Sequence, residues 1–170
     1  MGRLIILGTG PSWVECPFDG NEIWAASTAL ITEGLKEKQF DKVFAFDPIS
    51  NPRVEESVRI AKERNIPVVS VNKYATEKYP IFDIIREFHT NYFLNTASYM
   101  IALAIYRGYT KLRLYGIDQS EGDYAKGKSY VSFWLGVATG RGMSWSGSVK
   151  WLYSSSASDR AYTIPVQDVY

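Results

Sequence analysis

The run Gly8-Thr9-Gly10-Pro11-Ser12 directly follows the apolar stretch RLIIL at residues 3–7. A loop placed there can aim main-chain N–H groups at an anion, and glycines let the backbone approach closely. Ser12 adds a hydroxyl donor. A plain tight turn uses the same residue types, so the loop is either a phosphate seat or a bend. A dinucleotide fingerprint would place a third glycine at position 13 and open a helix there. Trp13 stands at that position, and Cys16-Pro17 and Gly20 look irregular, which argues against NAD.

Two carboxylates share a comparable setting. Asp47 ends KVFAFD and Asp118 ends KLRLYGID. At a strand tip a carboxylate can accept from ribose hydroxyls, hold a metal or act as a base. It can equally be a turn residue before Pro48, or a cap for the segment after residue 118. Ser27 closes another apolar run, EIWAAS.

Residues 122–129, GDYAKGKS, match the triphosphate-loop pattern G-x-x-x-x-G-K-S letter for letter. The preceding strand ends several residues too early, however. Asp123 would put a carboxylate inside the cradle, with Glu121 beside it. No later apolar strand ends in an aspartate for magnesium. The match is therefore read as incidental, with Lys126 and Lys128 kept as cations that could meet an anion. Tyr124 could donate its phenol to a phosphate, or be a surface aromatic. His89 is the single histidine, so no Ser-His-Asp set and no zinc cluster can be assembled.

The elements that must hold these residues follow from periodicity. Strands are expected at 3–8, 22–27, 42–47, 67–71 and 111–118. Helices are expected at 29–39, 52–65, within 80–90, at 96–108 and at 129–142. Pro52 suits a helix's first turn, and Gly108 a helix's end. The pattern weakens from Met143, residues 154–158 read as a loop, and the last ten residues as an arm or an edge strand. Short strands alternating with helices predict an α/β, Rossmann-like fold with a mostly parallel sheet and helices on both faces. Ligands in such folds sit beyond the carboxyl ends of the strands.

Composition narrows the class. At 170 residues one domain spanning 1–170 is expected, with 150–170 as a C-terminal arm able to pack on its own sheet or on a second copy. A formal charge of +1 gives no electrostatic case for nucleic acid or for an anionic membrane. One cysteine, no long apolar run and no signal-peptide pattern lead to the expectation of a soluble, cytoplasmic protein.

The loop GTGPS, the segment SYMIALAIYRGYTKLRLYGID at 98–118 and the Tyr124-Ala125 pair together resemble the bacterial sialyltransferases that use CMP-sialic acid and have a single Rossmann-like domain. WAAST to FAFDP is similar to a family segment whose strands end in asparagine and in Asn-Pro; here Ser27 and Asp47-Pro48 stand there. The resemblance covers about residues 3–125. A wider kinship takes in hydroxymethylpterin pyrophosphokinases and flagellar glycosylation-associated proteins. It implies a nucleotide seat at Gly8, Thr9, Gly10, Pro11, Ser12, Ser27, Asp47, Thr96, Ala97, Ser98, Asp118 and Tyr124. Lys126 and Lys128 would neighbour the phosphate. Asp118, Asp123 and Tyr124 become the catalytic candidates.

The departures concern the catalytic half. Phe93-Leu94-Asn95 replace the family's arginine before the Ala-rich helix. Lys126 runs almost directly into a helix, so the lid and its general-base histidine have no counterpart. The expected activity is glycosyl transfer from a nucleotide sugar, with a CMP-sugar favoured and no cofactor or metal required. The alternatives are nucleotide binding without turnover, as a sensor or sponge, and a magnesium-dependent pyrophosphokinase. The short, lid-poor build would suit a phage-encoded protein.

Overall fold

The computed structural model of the chain describes residues 2–119 and 122–152, apart from the side chains of Asp123, Tyr124 and Lys150. The expected loop at 154–158, the arm and the carboxylate of Glu121 lie outside the described residues.

Among the described residues seven strands form one sheet: β1 (Arg3–Leu7), β2 (Glu22–Ala26), β3 (Lys42–Phe44), β4 (Val68–Ser70), β5 (Glu77–Lys78), β6 (Lys111–Tyr115) and β7 (Ser144–Gly147). Every pairing is parallel, in the spatial order β5-β4-β3-β2-β1-β6-β7. The order reverses between β1 and β6, which makes their carboxyl ends the topological switch point. Leu7 is in register with Tyr115 on one side and Ala25 on the other.

Both faces of β1 are covered, so Leu4–Leu7 read as an unbroken apolar run. Leu4 and Ile6 pack with α2 (Ile81–Phe88), α3 (Thr96–Tyr106) and α5 (Lys128–Gly140). Ile5 and Leu7 pack with α1 (Pro52–Glu63) and the 3-10 turn Ser27–Ile31. Between α3 and α5, the single turn α4 spans Gly122–Ala125.

Local chemistry sets the helix limits. Asn51 caps α1 by accepting from Arg53 N–H at 3.0 Å, with Pro52 at the first position, where its missing N–H is not needed. Asn95 caps α3 by accepting from Ser98 N–H at 2.9 Å. Such a cap contributes about 1 kcal/mol. Residues Ala97, Ser98 and 100–105 of α3 are all buried, as an apolar helix wedged against a sheet requires.

One expectation is corrected, and two short strands are added. The helix at 29–39 is not formed: a 3-10 turn ends at Ile31, and Gly34 takes φ +81. A side chain at 34 would also meet the Trp13 ring at 2.8 Å. The weak pattern after Met143 hides β7, an edge strand of sequence SWSG. β5, only two residues long, carries no strand pattern in the sequence. Among the described residues no helix is long and apolar enough to cross a membrane.

Candidate functional site

The Gly8–Ser12 bend and the loop after β6 are bonded to each other. Gly8 N–H donates to Tyr115 O at 2.9 Å, and Gly10 N–H to Gly116 O at 2.8 Å. Ser12 donates through both its N–H and its hydroxyl to Asp118 Oδ2, each at 3.0 Å. Gly116 N–H returns a bond to Ser12 Oγ at 3.0 Å. The closeness of the two chains explains the glycines. A Cβ at Gly8 would stand 2.3 Å from Gly116 O, and one at Gly10 2.2 Å from Asp118 Oδ2. Gly116 itself sits at φ +67, where a side chain is strained.

These bonds change what the bend can offer a ligand. The Gly8, Gly10 and Ser12 amides are turned inward, and Trp13 N–H bonds Gly10 O. Thr9 N–H has no partner among the described residues, so it is the amide of the bend open to an anion.

The other candidates distribute along the same edge. Ser27 is buried where β2 passes into its 3-10 turn. Asp47 lies past β3; its carbonyl accepts from Tyr74 Oη at 2.7 Å, and its carboxylate is exposed. Thr96 and Ala97 open α3, whose positive dipole end faces this rim. The Ser98 hydroxyl donates to Asn95 O at 2.6 Å, so its proton is engaged. Asp123 and Tyr124 follow on α4 with their side chains outside the description.

The triphosphate-loop match is not a loop. Residues 122–125 are helical, and Gly127 is buried at the start of α5. A Cβ at Gly127 would meet Asn95 Nδ2 and Gln119 Oε1, each at 2.2 Å. Lys128 Nζ stands 6.0 Å from the Trp151 ring centroid. Lys126 is exposed.

Sequence reasoning missed two features. Asn95 Nδ2 donates to Gln119 Oε1 at 3.1 Å, which pins the start of α3 to the loop carrying Asp118. Gln119 is nearly buried with φ +48, a conformation no sequence signal announced. The second feature is a cavity of about 380 Å³ on the β7 side of the bend. Asp118, Glu15, Ser148 and Trp151 line it, and Ser148 Oγ donates to Glu15 Oε2. His89 is exposed and closes α2 in the left-handed conformation. Among the described residues no three His, Cys, Asp or Glu side chains group as a metal site.

Comparison with known proteins gives one kind of answer. No family model and no curated protein matches the sequence. Solved structures do match. The sialyltransferase CstII from Campylobacter jejuni in complex with the substrate analogue CMP-3FNeuAc aligns with a TM-score of 0.63 at 17% identity, over 88% of this chain and 81% of that one. The same enzyme with cytidine-5'-monophosphate aligns at 0.60 and 16%, over 86% and 79%. A CstII complex with a trisaccharide acceptor and CMP aligns at 0.61 and 16%, over 87% and 81%. The chain therefore has the all-parallel, Rossmann-like α/β fold of the sialyltransferase CstII.

Proposed function

We propose that this chain is a nucleotide-sugar-dependent glycosyltransferase that takes a CMP-sugar at the carboxyl edge of its sheet. The observation that carries the proposal is the Ser12–Asp118 clamp. The two motifs that resemble the CMP-sialic-acid enzymes lie 106 residues apart, and they are bonded to each other at the switch point. The CstII structures that share the fold hold CMP or a CMP-sugar analogue, which supports the choice of nucleotide.

In this proposal the phosphate meets Thr9 N–H and the opening of α3 at Thr96 and Ala97. Ser27 and Asp47 line the nucleoside side. The Tyr124 phenol stabilises charge on the departing phosphate, with Lys126 and Lys128 nearby. The acceptor hydroxyl oxygen bonds the anomeric carbon as the bond to phosphate breaks and CMP leaves with the electron pair. The hydroxyl proton goes to a carboxylate. Asp118 is the first candidate: Oδ2 is fixed by Ser12, and Oδ1 has no partner among the described residues. Asp123 is the second. No metal is required.

The test is incubation with CMP-, UDP- and GDP-sugars plus acceptor glycosides, with nucleotide release as the readout. The proposal expects release from a CMP-sugar above buffer, lost in Asp118→Asn. No release from any donor overturns it. A second reading, nucleotide binding without turnover, follows from the family's lid and general-base histidine having no counterpart in this sequence, whose single histidine, His89, closes α2. Calorimetry with recovery of intact ligand would establish that reading.

A further inference from the structure

We propose that Gln119 is a ligand-binding residue whose side-chain amide donates to an oxygen of the bound phosphate, with Asn95 as the positioning residue that orients it. The proposal rests on the nucleotide seat of the reading above. It adds a contact that the resemblance does not assign.

The direction of the Gln119 amide follows from its neighbours. Asn95 Oδ1 is used in capping α3, where it accepts from Ser98 N–H at 2.9 Å. Asn95 Nδ2 is therefore the group turned to Gln119. An amide nitrogen only donates, so the atom it meets at 3.1 Å is the acceptor, Oε1. Gln119 Nε2 is left facing away from Asn95, with no partner among the described residues. Gln119 is 9% exposed. Among the described residues no fully buried side-chain nitrogen or oxygen lacks a partner. The little surface that Gln119 keeps therefore includes Nε2, which makes it a fixed donor at the rim of the site.

The surroundings of that donor suit an anion. Two helix starts converge on the amide pair: Asn95 caps α3, and Gly127 immediately precedes α5. Asn95 Nδ2 also approaches Gly127 O, at 3.5 Å. A Cβ at Gly127 would stand 2.2 Å from both Asn95 Nδ2 and Gln119 Oε1, so glycine is what lets α5 begin against the pair. Both starts direct partial positive charge to one place, and no side chain caps α5. Lys128, the first residue of α5, brings a full charge. The neighbouring carboxylate of Asp118 is turned to Ser12 by two bonds. Thr96 and Ala97, which open α3 to the phosphate, directly follow Asn95 in the chain. A phosphate at that opening lies beside the Gln119 amide, and a charged acceptor strengthens the bond it receives.

The experiment uses the full chain labelled with 15N, and follows the Gln119 side-chain amide signals, assigned by their loss in Gln119→Met. CMP, cytidine and inorganic phosphate are titrated in turn. The expected result is a shift with CMP and with phosphate, and none with cytidine. Gln119→Met should bind CMP about tenfold more weakly, the loss of one charge-assisted bond, with cytidine affinity unchanged. Gln119→Glu keeps the acceptor that Asn95 needs and replaces the donor with a carboxylate, so it serves if Gln119→Met does not fold; its loss of CMP should be larger. Asn95→Ser keeps a cap for α3 but removes the amide that orients Gln119, and should weaken CMP in the same direction. CMP binding that leaves the Gln119 signals unmoved overturns the proposal, as does an equal loss of CMP and cytidine in the variants. If the wild-type chain binds no CMP, the glycosyltransferase reading falls. The phosphate titration then decides Gln119: a shift of its amide upholds the contact, and no shift overturns it.

Discussion

Ser12 and Asp118 meet through one oxygen: the serine's amide and hydroxyl both donate to Oδ2, at 3.0 Å each. A bend at the start of the chain is thereby held by a carboxylate from its middle. Two bonds to a charged acceptor should couple these residues strongly. In a double-mutant cycle of Ser12→Ala and Asp118→Ala, the hydroxyl's share should appear as about 1–2 kcal/mol of coupling by chemical denaturation. Additive single effects would contradict the clamp.

The glycines of the bend are predicted to be far less replaceable than a glycine in open space. Gly10→Ala places a methyl 2.2 Å from Asp118 Oδ2 and should destabilise by about 1–3 kcal/mol, or more. Gly136, inside α5, has nothing within 4 Å of a built Cβ. Gly136→Ala should stabilise by about 0.5–1 kcal/mol, because alanine loses less backbone freedom in a helix. Thermal melts of the two variants should therefore move in opposite directions, by about 2–4 °C per kcal/mol.

Much of this arrangement could be read in the sequence, and the misses have physical causes. RLIIL is a mostly apolar run and KLRLY an alternating one, each followed by glycine, so β1, β6 and the loops beyond them were legible. β5 and β7 are edge strands of two and four residues whose own side chains are mostly exposed. Their pairing comes from the neighbouring strand, and sequence cannot show it. The 29–39 stretch has helical spacing, but Gly34 and its contact with Trp13 override it. At the site, residue types pointed to Gly8–Ser12 and Asp118. That the bend's amides would turn inward depends on the β1–β6 register, which no local pattern encodes. The Asn95–Gln119 bond spans 24 residues and was invisible for the same reason.

Acid should weaken the fold partly through Glu77. Burial opposes its charge, but Lys42 and Arg107 (2.7 Å) outweigh that and hold its carboxyl below the ordinary value. A carboxylate with a depressed folded value contributes stability above its unfolded value, about 4.3, and loses it as pH falls through the folded value. Denaturation measured from pH 6 to 3 should show stability falling below about pH 4.3. Glu77→Gln should flatten that slope; an unchanged slope would assign the acid sensitivity elsewhere.

Cys16 should be inert in the folded protein. It is buried, and burial raises its thiol above the usual value, so little thiolate forms near neutral pH. A thiol reagent should modify it only at the rate of unfolding, and fast labelling under native conditions would contradict the packing of Cys16 beside the bend.

The account as a whole is tested most directly by a crystal structure grown with CMP. It predicts density on the β2–β3 side of the bend, with the phosphate at Thr9 N–H and the opening of α3, and the nucleoside along Ser27 and Asp47. CMP in the β7-side cavity, or a groove left empty at saturating CMP, would contradict it.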